Sequence, residues 1–202
     1  MAKLTVGVLI SGRGSNLQAL IDAAAKPDYP ARIGVVISNV PGAAGLERCA
    51  TAGIPAAVID HKRFPNREAF EAEVDRGLGA AKDELVCLAG FMRVLSDSFV
   101  RRWRDRLINI HPSLLPAFRG LHAHEQAIAA GVRISGCTVH FVREGVDDGP
   151  ILVQAAVPVD PRDDPASLAA RVLVEEHKIY PLAVRLIAEG RVTIVDEKVA
   201  IS

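Results

Sequence analysis

The stretch "LINIHPSLLPAFRG", residues 107–120, begins as an apolar run and then places Asn109, His111 and Pro112 within four positions. An imidazole exchanges protons near neutral pH, and a carboxamide N–H can stabilise negative charge developing on an oxygen. If the run is a buried strand of a parallel sheet, its carboxyl end opens onto a crevice where both side chains can meet a ligand. Asp147, in "GVDDGP" (145–150), is the carboxylate that a loop could bring to His111, where its charge would favour the protonated ring. A plainer reading makes Asn109 a turn former and Asp147 and Asp148 solvent-facing hairpin residues. Spacing alone leaves both readings open.

A second constellation, "SGRGSN" (11–16), follows an apolar run and opens a helical pattern. Its two glycines allow tight backbone geometry, and free helix-start amides beside Ser15 and Asn16 suit an anion such as a phosphate. It is a poor dinucleotide fingerprint, because Leu17 stands where the third glycine belongs and the next strand ends in Ser38 and Asn39 rather than an acid. The alternative is that Ser11, Ser15 or Asn16 simply caps the helix. Of the remaining histidines, His61 lies near a polar turn, His122 and His124 flank a helix start, and His140 sits in a strand. No standard ligand spacing calls for a metal.

The elements that must position these residues are legible in the periodicity. Apolar runs at 4–10, 32–38, 55–60, 84–90 and 106–110 alternate with helical patterns at 15–25, 42–53, 67–80 and 96–103, which predicts a parallel sheet covered on both faces. After a helix at 124–131, the runs 135–142 and 151–159 are separated by too few residues for a crossover helix, so they form an antiparallel pair. A long helix over 164–190 follows, which Pro181 should bend or divide, and 191–195 reads as a last edge strand. The expected fold class is α/β: a mostly parallel, Rossmann-like sheet flanked by helices, with an antiparallel extension in the C-terminal half, in a single domain spanning 1–202.

Lys and Arg total 24 against 24 Asp and Glu, so no general attraction draws nucleic acid or an anionic membrane to the chain. The N-terminal apolar run is broken by Gly12, Arg13 and Gly14 well short of a membrane span. Cys49, Cys87 and Cys137 are widely spaced and odd in number, as expected of small buried side chains in a cytoplasmic protein.

The segments "GVLISGRGSNLQALIDA", "VISNVPGAAGLERCATAGIP", "LAGFMRVLS", "LINIHPSLLPAFRGLHAHEQAI", "GCTVHFVREGVDDGPILVQAAVPV" and "EEHKIYPLAVRL" together resemble the folate-dependent formyltransferases. Within that family they are most similar to the glycinamide ribonucleotide (phosphoribosylglycinamide) branch, and the resemblance runs through the whole chain in order. It implies a cytoplasmic enzyme of purine biosynthesis that moves a formyl group from 10-formyltetrahydrofolate, its co-substrate, to the amine of phosphoribosylglycinamide, with no metal, and as a monomer or homodimer. It also implies the site residues. Gly14, Ser15 and Asn16 would surround the ribonucleotide phosphate and Glu176 its ribose. Met92, Arg93, Val94 and Leu95 would border the pterin, with Arg67 a further folate contact. Asn109 would be formyl-oxygen donor and folate contact, His111 the acid-base group and Asp147 its charge partner. The resemblance raises the question of a cis Leu115–Pro116 bond, as in relatives, and the sequence leaves it open. Arg13, Arg119 and Leu173 depart from the family pattern. A formyltetrahydrofolate hydrolase and a non-catalytic folate- or ribonucleotide-binding protein are the competing readings.

Overall fold

The apolar runs of the N-terminal half become parallel strands because both of their faces are covered, which removes the need for polar alternation. The computed structural model describes residues 2–202. In chain order the elements are β1 (Leu4–Ile10), α1 (Ser15–Ala24), β2 (Ala31–Ser38), α2 (Gly45–Ala52), β3 (Ala56–Val58), α3 (Arg67–Ala80), β4 (Leu85–Leu88), α4 (Asp97–Arg102) and β5 (Leu107–His111). Then come α5 (Ala123–Ala129), β6 (Ile134–Phe141), β7 (Ile151–Pro158), α6 (Pro165–Ala188), β8 (Val192–Val195) and β9 (Lys198–Ile201). Seven strands form one sheet in the order β3-β2-β1-β4-β5-β6-β7. The strands from β3 to β5 are parallel, and β6 and β7 extend the sheet in antiparallel fashion, as the sequence predicts.

Two apolar layers sandwich this sheet. One, containing Leu17, Ile108, Ile110, Val172 and Tyr180, joins it to α1 and α6. The other, containing Phe70, Val74, Leu88, Phe99 and Leu107, joins it to α3 and α4. Tyr180 is fully buried, and its hydroxyl donates toward the carbonyls of Leu88 and Ile108, at 3.0 and 3.3 Å. That contact ties α6 to the two strands from which the site is built. All three cysteines are buried and free.

The helix starts differ in an informative way. The side chains of Asn66, Ser96 and Asp164 cap α3, α4 and α6, satisfying amides that would otherwise lack partners. Helix α1 begins instead on Gly14, in the left-handed conformation, with no side-chain cap among the described residues.

At the C-terminus the structure rules out one outcome expected of Pro181, a divided helix, and corrects the place of the last strand. Helix α6 is not divided at Pro181 but runs through it as one helix of 24 residues. The helix tolerates the lost hydrogen bond because Ile179, Tyr180, Ala183 and Val184 are buried on either side of the proline, and the Pro181 carbonyl accepts from Tyr29 Oη at 2.7 Å. The run 191–195 is not an edge strand of the main sheet. It contributes β8 to a separate hairpin with β9, turned by Asp196 and Glu197 at φ values of 50 and 56°. Two successive left-handed residues match the twist of a tight hairpin.

Candidate active site

Strand order places the first crossover after β1 on one side and β4 on the other, which is a topological switch point, where the loops leaving two neighbouring strands diverge and open a crevice. The loops after β1 and β4 meet there. Ser11 N donates to Gly90 O at 3.1 Å, Met92 N donates to Ser11 Oγ at 2.8 Å, and Ser11 Oγ donates to Asn39 Oδ1 at 2.5 Å. Gly14 is required on two counts. Its φ is +69°, and a Cβ would stand 2.7 Å from the Cα of Gly45. The capping alternative for Ser11, Ser15 and Asn16 is thereby removed, and the first amides of α1 keep their donors.

Asn16 is buried and donates from Nδ2 to Glu176 Oε2 at 2.7 Å, so the start of α1 and the late helix α6 meet as a pair. Burial raises the Glu176 carboxyl pKa, with the Asn16 hydrogen bond opposing it. Leu173, one turn earlier on α6, is half-buried. Arg13 is exposed, and its backbone carbonyl accepts from Arg48 Nε at 3.0 Å.

On β5 the side chains alternate. Ile108 and Ile110 enter the α1–α6 layer, Leu107 enters the α3–α4 layer, and Asn109 and His111 continue the Leu107 face. Asn109 lines a cleft there, and His111 is buried among polar partners supplied by two loops. His111 is the last residue of the strand and is buried. Its Nε2 lies 2.9 Å from the Phe118 carbonyl and its Nδ1 lies 3.2 Å from Asp147 Oδ2. Both ring nitrogens face acceptors, so the doubly protonated ring satisfies both contacts.

Asp147 reaches His111 from the loop between β6 and β7, at a left-handed φ of 50° that aspartate tolerates better than most residues. Its Oδ2 also accepts from Gly120 N at 2.8 Å. Burial acts to raise its pKa. The neighbouring His140 ring, the Gly120 amide and the charge of His111 outweigh burial and hold the carboxyl below the ordinary aspartate value.

His140 is a member of the site that sequence reasoning left in a strand. Antiparallel register sets it opposite Asn109, and cross-strand partners share a face. Its Nε2 lies 3.3 Å from Asn109 Nδ2 and 3.6 Å from Asp147 Oδ1. A neutral ring accepts from the amide there, and a protonated one faces the carboxylate. The signal was available only to a reading that had already paired β5 with β6.

The turn after His111 is braced by residues equally silent in the sequence. Thr138 Oγ1 donates to Ser113 O at 2.7 Å and accepts from Leu115 N at 3.1 Å, while Gln154 Nε2 donates to Leu115 O at 2.9 Å. The Leu115–Pro116 bond within this turn is cis. Arg119, the departure from the family pattern, pairs with Asp148 at 2.7 Å and so links this turn to the Asp147 loop. His124 stands near His111. Burial, with the His111 charge acting the same way, lowers its pKa.

The cleft beside these groups has a volume of about 160 Å³. Its apolar lining includes Leu88, Phe91, Val94, Leu95 and Val142, and its polar lining includes Arg93, Asn109, His140 and Asp147. Such a slot fits a flat heteroaromatic ring. The buried Nε of Arg93 has no partner among the described residues, leaving a donor for a ligand. Met92 is exposed, and its backbone joins the Ser11 loop rather than the wall. Arg67 lies exposed at the start of α3, outside the lining of this cleft. Among the described residues no group of three or more His, Cys, Asp or Glu side chains is placed to hold a metal ion, and no helix is long and apolar enough to cross a membrane.

Comparison with known proteins bears on this arrangement. The chain is 58% identical over 195 residues to the trifunctional purine biosynthetic protein adenosine-3 of Drosophila pseudoobscura pseudoobscura, covering 95% of this chain but 14% of that protein. It is 45% identical over 188 residues to the phosphoribosylglycinamide formyltransferase of Escherichia coli (strain K12), covering 93% of this chain and 89% of that one. The crystal structure of glycinamide ribonucleotide transformylase 1 from Symbiobacterium toebii superposes with a TM-score of 0.96 at 50% identity, covering 98% of this chain and 94% of that one. The family model described as formyl transferase matches residues 4–184. By that match, which runs from the first strand into α6, the chain belongs to the formyl transferase family.

Proposed function

We propose that the chain transfers a formyl group from 10-formyltetrahydrofolate to the amine of phosphoribosylglycinamide, a step of purine biosynthesis. The observation that carries this reading is the chain of contacts from Asn109 through His140 to Asp147 in the lining of an apolar cleft, with His111 on the other oxygen of Asp147 and an uncapped start of α1 at the neighbouring crevice. The likeness to the Escherichia coli formyltransferase and the Symbiobacterium structure supports the choice of substrates.

The bound folate supplies the formyl carbon that the amine attacks. Asn109 donates an N–H to the formyl oxygen as negative charge gathers on it. His111, held between the Phe118 carbonyl and Asp147, adds positive charge beside that oxygen and is placed to move a proton from the amine toward the departing nitrogen. Asp147 keeps the ring oriented. The amides and hydroxyl of Gly14, Ser15 and Asn16 receive the phosphate, with Glu176 set for the ribose. Leu88, Phe91, Val94 and Leu95 form the apolar side of the pterin slot and Arg93 offers its free Nε–H, with the exposed Met92 and Arg67 as further folate contacts. The protein acts on small molecules, in the cytoplasm, as a monomer or homodimer.

A purified two-substrate assay tests this. Formylated ribonucleotide appearing only when both substrates are present supports transfer. Formate released without an amine acceptor, with no formylated product when one is added, would instead establish the hydrolase. Binding without turnover of either kind would make the chain a binding protein.

A further inference from the structure

The loop that carries Asp147 is held at its root by an arginine whose partners lie far away in sequence. Arg143 lies two residues beyond the end of β6 and is 9% exposed. Its Nε donates to Glu197 Oε2 and its Nη2 to Asp105 Oδ1, both at 2.6 Å, and its Nη1 donates to the Val142 carbonyl at 3.1 Å. Glu197 belongs to the β8–β9 turn, and Arg104 pairs with it as well. Asp105 lies between α4 and β5. One guanidinium thus joins the site loop, the entry to the Asn109 strand and the C-terminal hairpin.

The loop closes on this anchor. Phe141 N donates to Pro150 O at 2.9 Å. Gly149 packs so closely that a Cβ there would stand 1.8 Å from the Phe141 carbonyl oxygen and 3.2 Å from Arg143 Cγ. The two ends of the loop are thus tied to each other, with Gly149 beside the Arg143 side chain. Residues 143–147 continue from this root along one wall of the cleft to the carboxylate that faces His111. A guanidinium this buried is stable only while its carboxylates are in place, and Asp105 and Glu197 are each about half exposed, so they can be hydrated if it is removed.

We propose that Arg143 is a positioning residue for formyl transfer, and that the C-terminal hairpin, through Glu197, clamps the loop that sets Asp147 against His111. The inference rests on the proposed transferase reading. A mis-set carboxylate lowers turnover because catalytic geometry tolerates little displacement. The phosphate end of the site lies on other elements and keeps its contacts.

The test uses the full chain with R143M, R143K, E197Q and the double variant R143M/E197Q. It measures kcat, KM for both substrates and amide hydrogen exchange across residues 143–150, at a temperature where circular dichroism shows every variant folded. R143M is expected to lose about tenfold in kcat with KM for phosphoribosylglycinamide unchanged and faster exchange in the loop. E197Q is expected to lose less, R143K to recover part of the loss, and the double variant to be no slower than R143M, because Glu197 acts through Arg143. A kcat for R143M within about twofold of wild type, unchanged loop exchange, or additive losses in the double variant overturns the clamp. A wild-type chain without transfer activity refutes the transferase reading instead, and loop exchange alone then decides whether the clamp exists.

Discussion

Two carboxylates are largely buried at opposite ends of the sheet, and their surroundings drive them in opposite directions. Asp147, beside His111 at the carboxyl end of β5, has an amide and two imidazoles around it and is held below the ordinary aspartate pKa. Asp83, just before β4, folds into a slot left by two missing side chains: a Cβ on Gly7 or Gly34 would come within 2.7 or 2.2 Å of its oxygens. Neither of those oxygens has a hydrogen-bond partner among the described residues. Burial pushes this carboxyl up to about 7, with the charge of Arg32 only partly opposing it. Burial is common to both sites, so partners decide which acid is charged. Where partners are supplied the carboxylate can orient a cation, and where they are withheld burial favours the protonated form and makes it a pH-sensitive part of the packing.

Breaking the partnered site should have the largest effect. Asp147→Asn keeps the shape of the side chain but removes the charge facing His111, and kcat should fall by roughly three to four powers of ten with the fold retained. A kcat near the wild-type value and an unchanged pH–rate profile would show that the carboxylate is a bystander. Asn109→Ala removes the proposed donor to the formyl oxygen and should cost about 3 kcal/mol of transition-state stabilisation. The loss should appear in kcat more than in either KM, and near-normal turnover of a folded variant would sink the role.

Asp83→Asn sharpens the other half of the contrast through stability. With a folded-state value of about 7 against an ordinary 3.8, the folded protein keeps a proton that the unfolded chain has already released. The stabilisation is therefore complete below 3.8 and is lost as pH rises toward about 7. Asp147 has the opposite sign, since its depressed value stabilises the fold above the ordinary carboxyl range and the benefit fades only as pH falls. In Asp83→Asn the Tm should drop less than that of wild type between those two pH values, with the curves parallel above them. Curves parallel throughout would show that Asp83 is ionised in the folded protein.

What could be read from the sequence follows from which interactions are local. Strands β1, β2 and β4 were legible because burial on both faces leaves unbroken apolar runs, and Asn109 and His111 stood out because they interrupt such a run. His140 was hidden because its role depends on the β5–β6 register, a pairing that no local pattern announces. The β8–β9 hairpin was missed because its two left-handed residues are Asp196 and Glu197, with no glycine to mark the turn. The family resemblance named Asp147 in advance. It offered nothing for Arg143, whose bond to Glu197 spans 54 positions, or for Arg119, whose partner had to be seen.

Arg119 supplies the finest test of the difference between buried and exposed partnerships, because the same two segments are joined twice in neighbouring positions. Gly120 N binds Asp147 within the site, and one residue away Arg119 pairs with Asp148, at 43% and 52% exposure. The outer bridge is open to water and counterions, so it should contribute only about 0.2–1 kcal/mol. Arg119→Ala should therefore lower kcat/KM by less than about fivefold. Any salt dependence that the bridge gives the wild-type enzyme should disappear with it, since screening acts over about 10 Å at 0.1 M salt. If Arg119→Ala instead rivals Asn109→Ala, the two segments are held by the exposed pair, and burial is not what separates the contacts that set this site from those that decorate it.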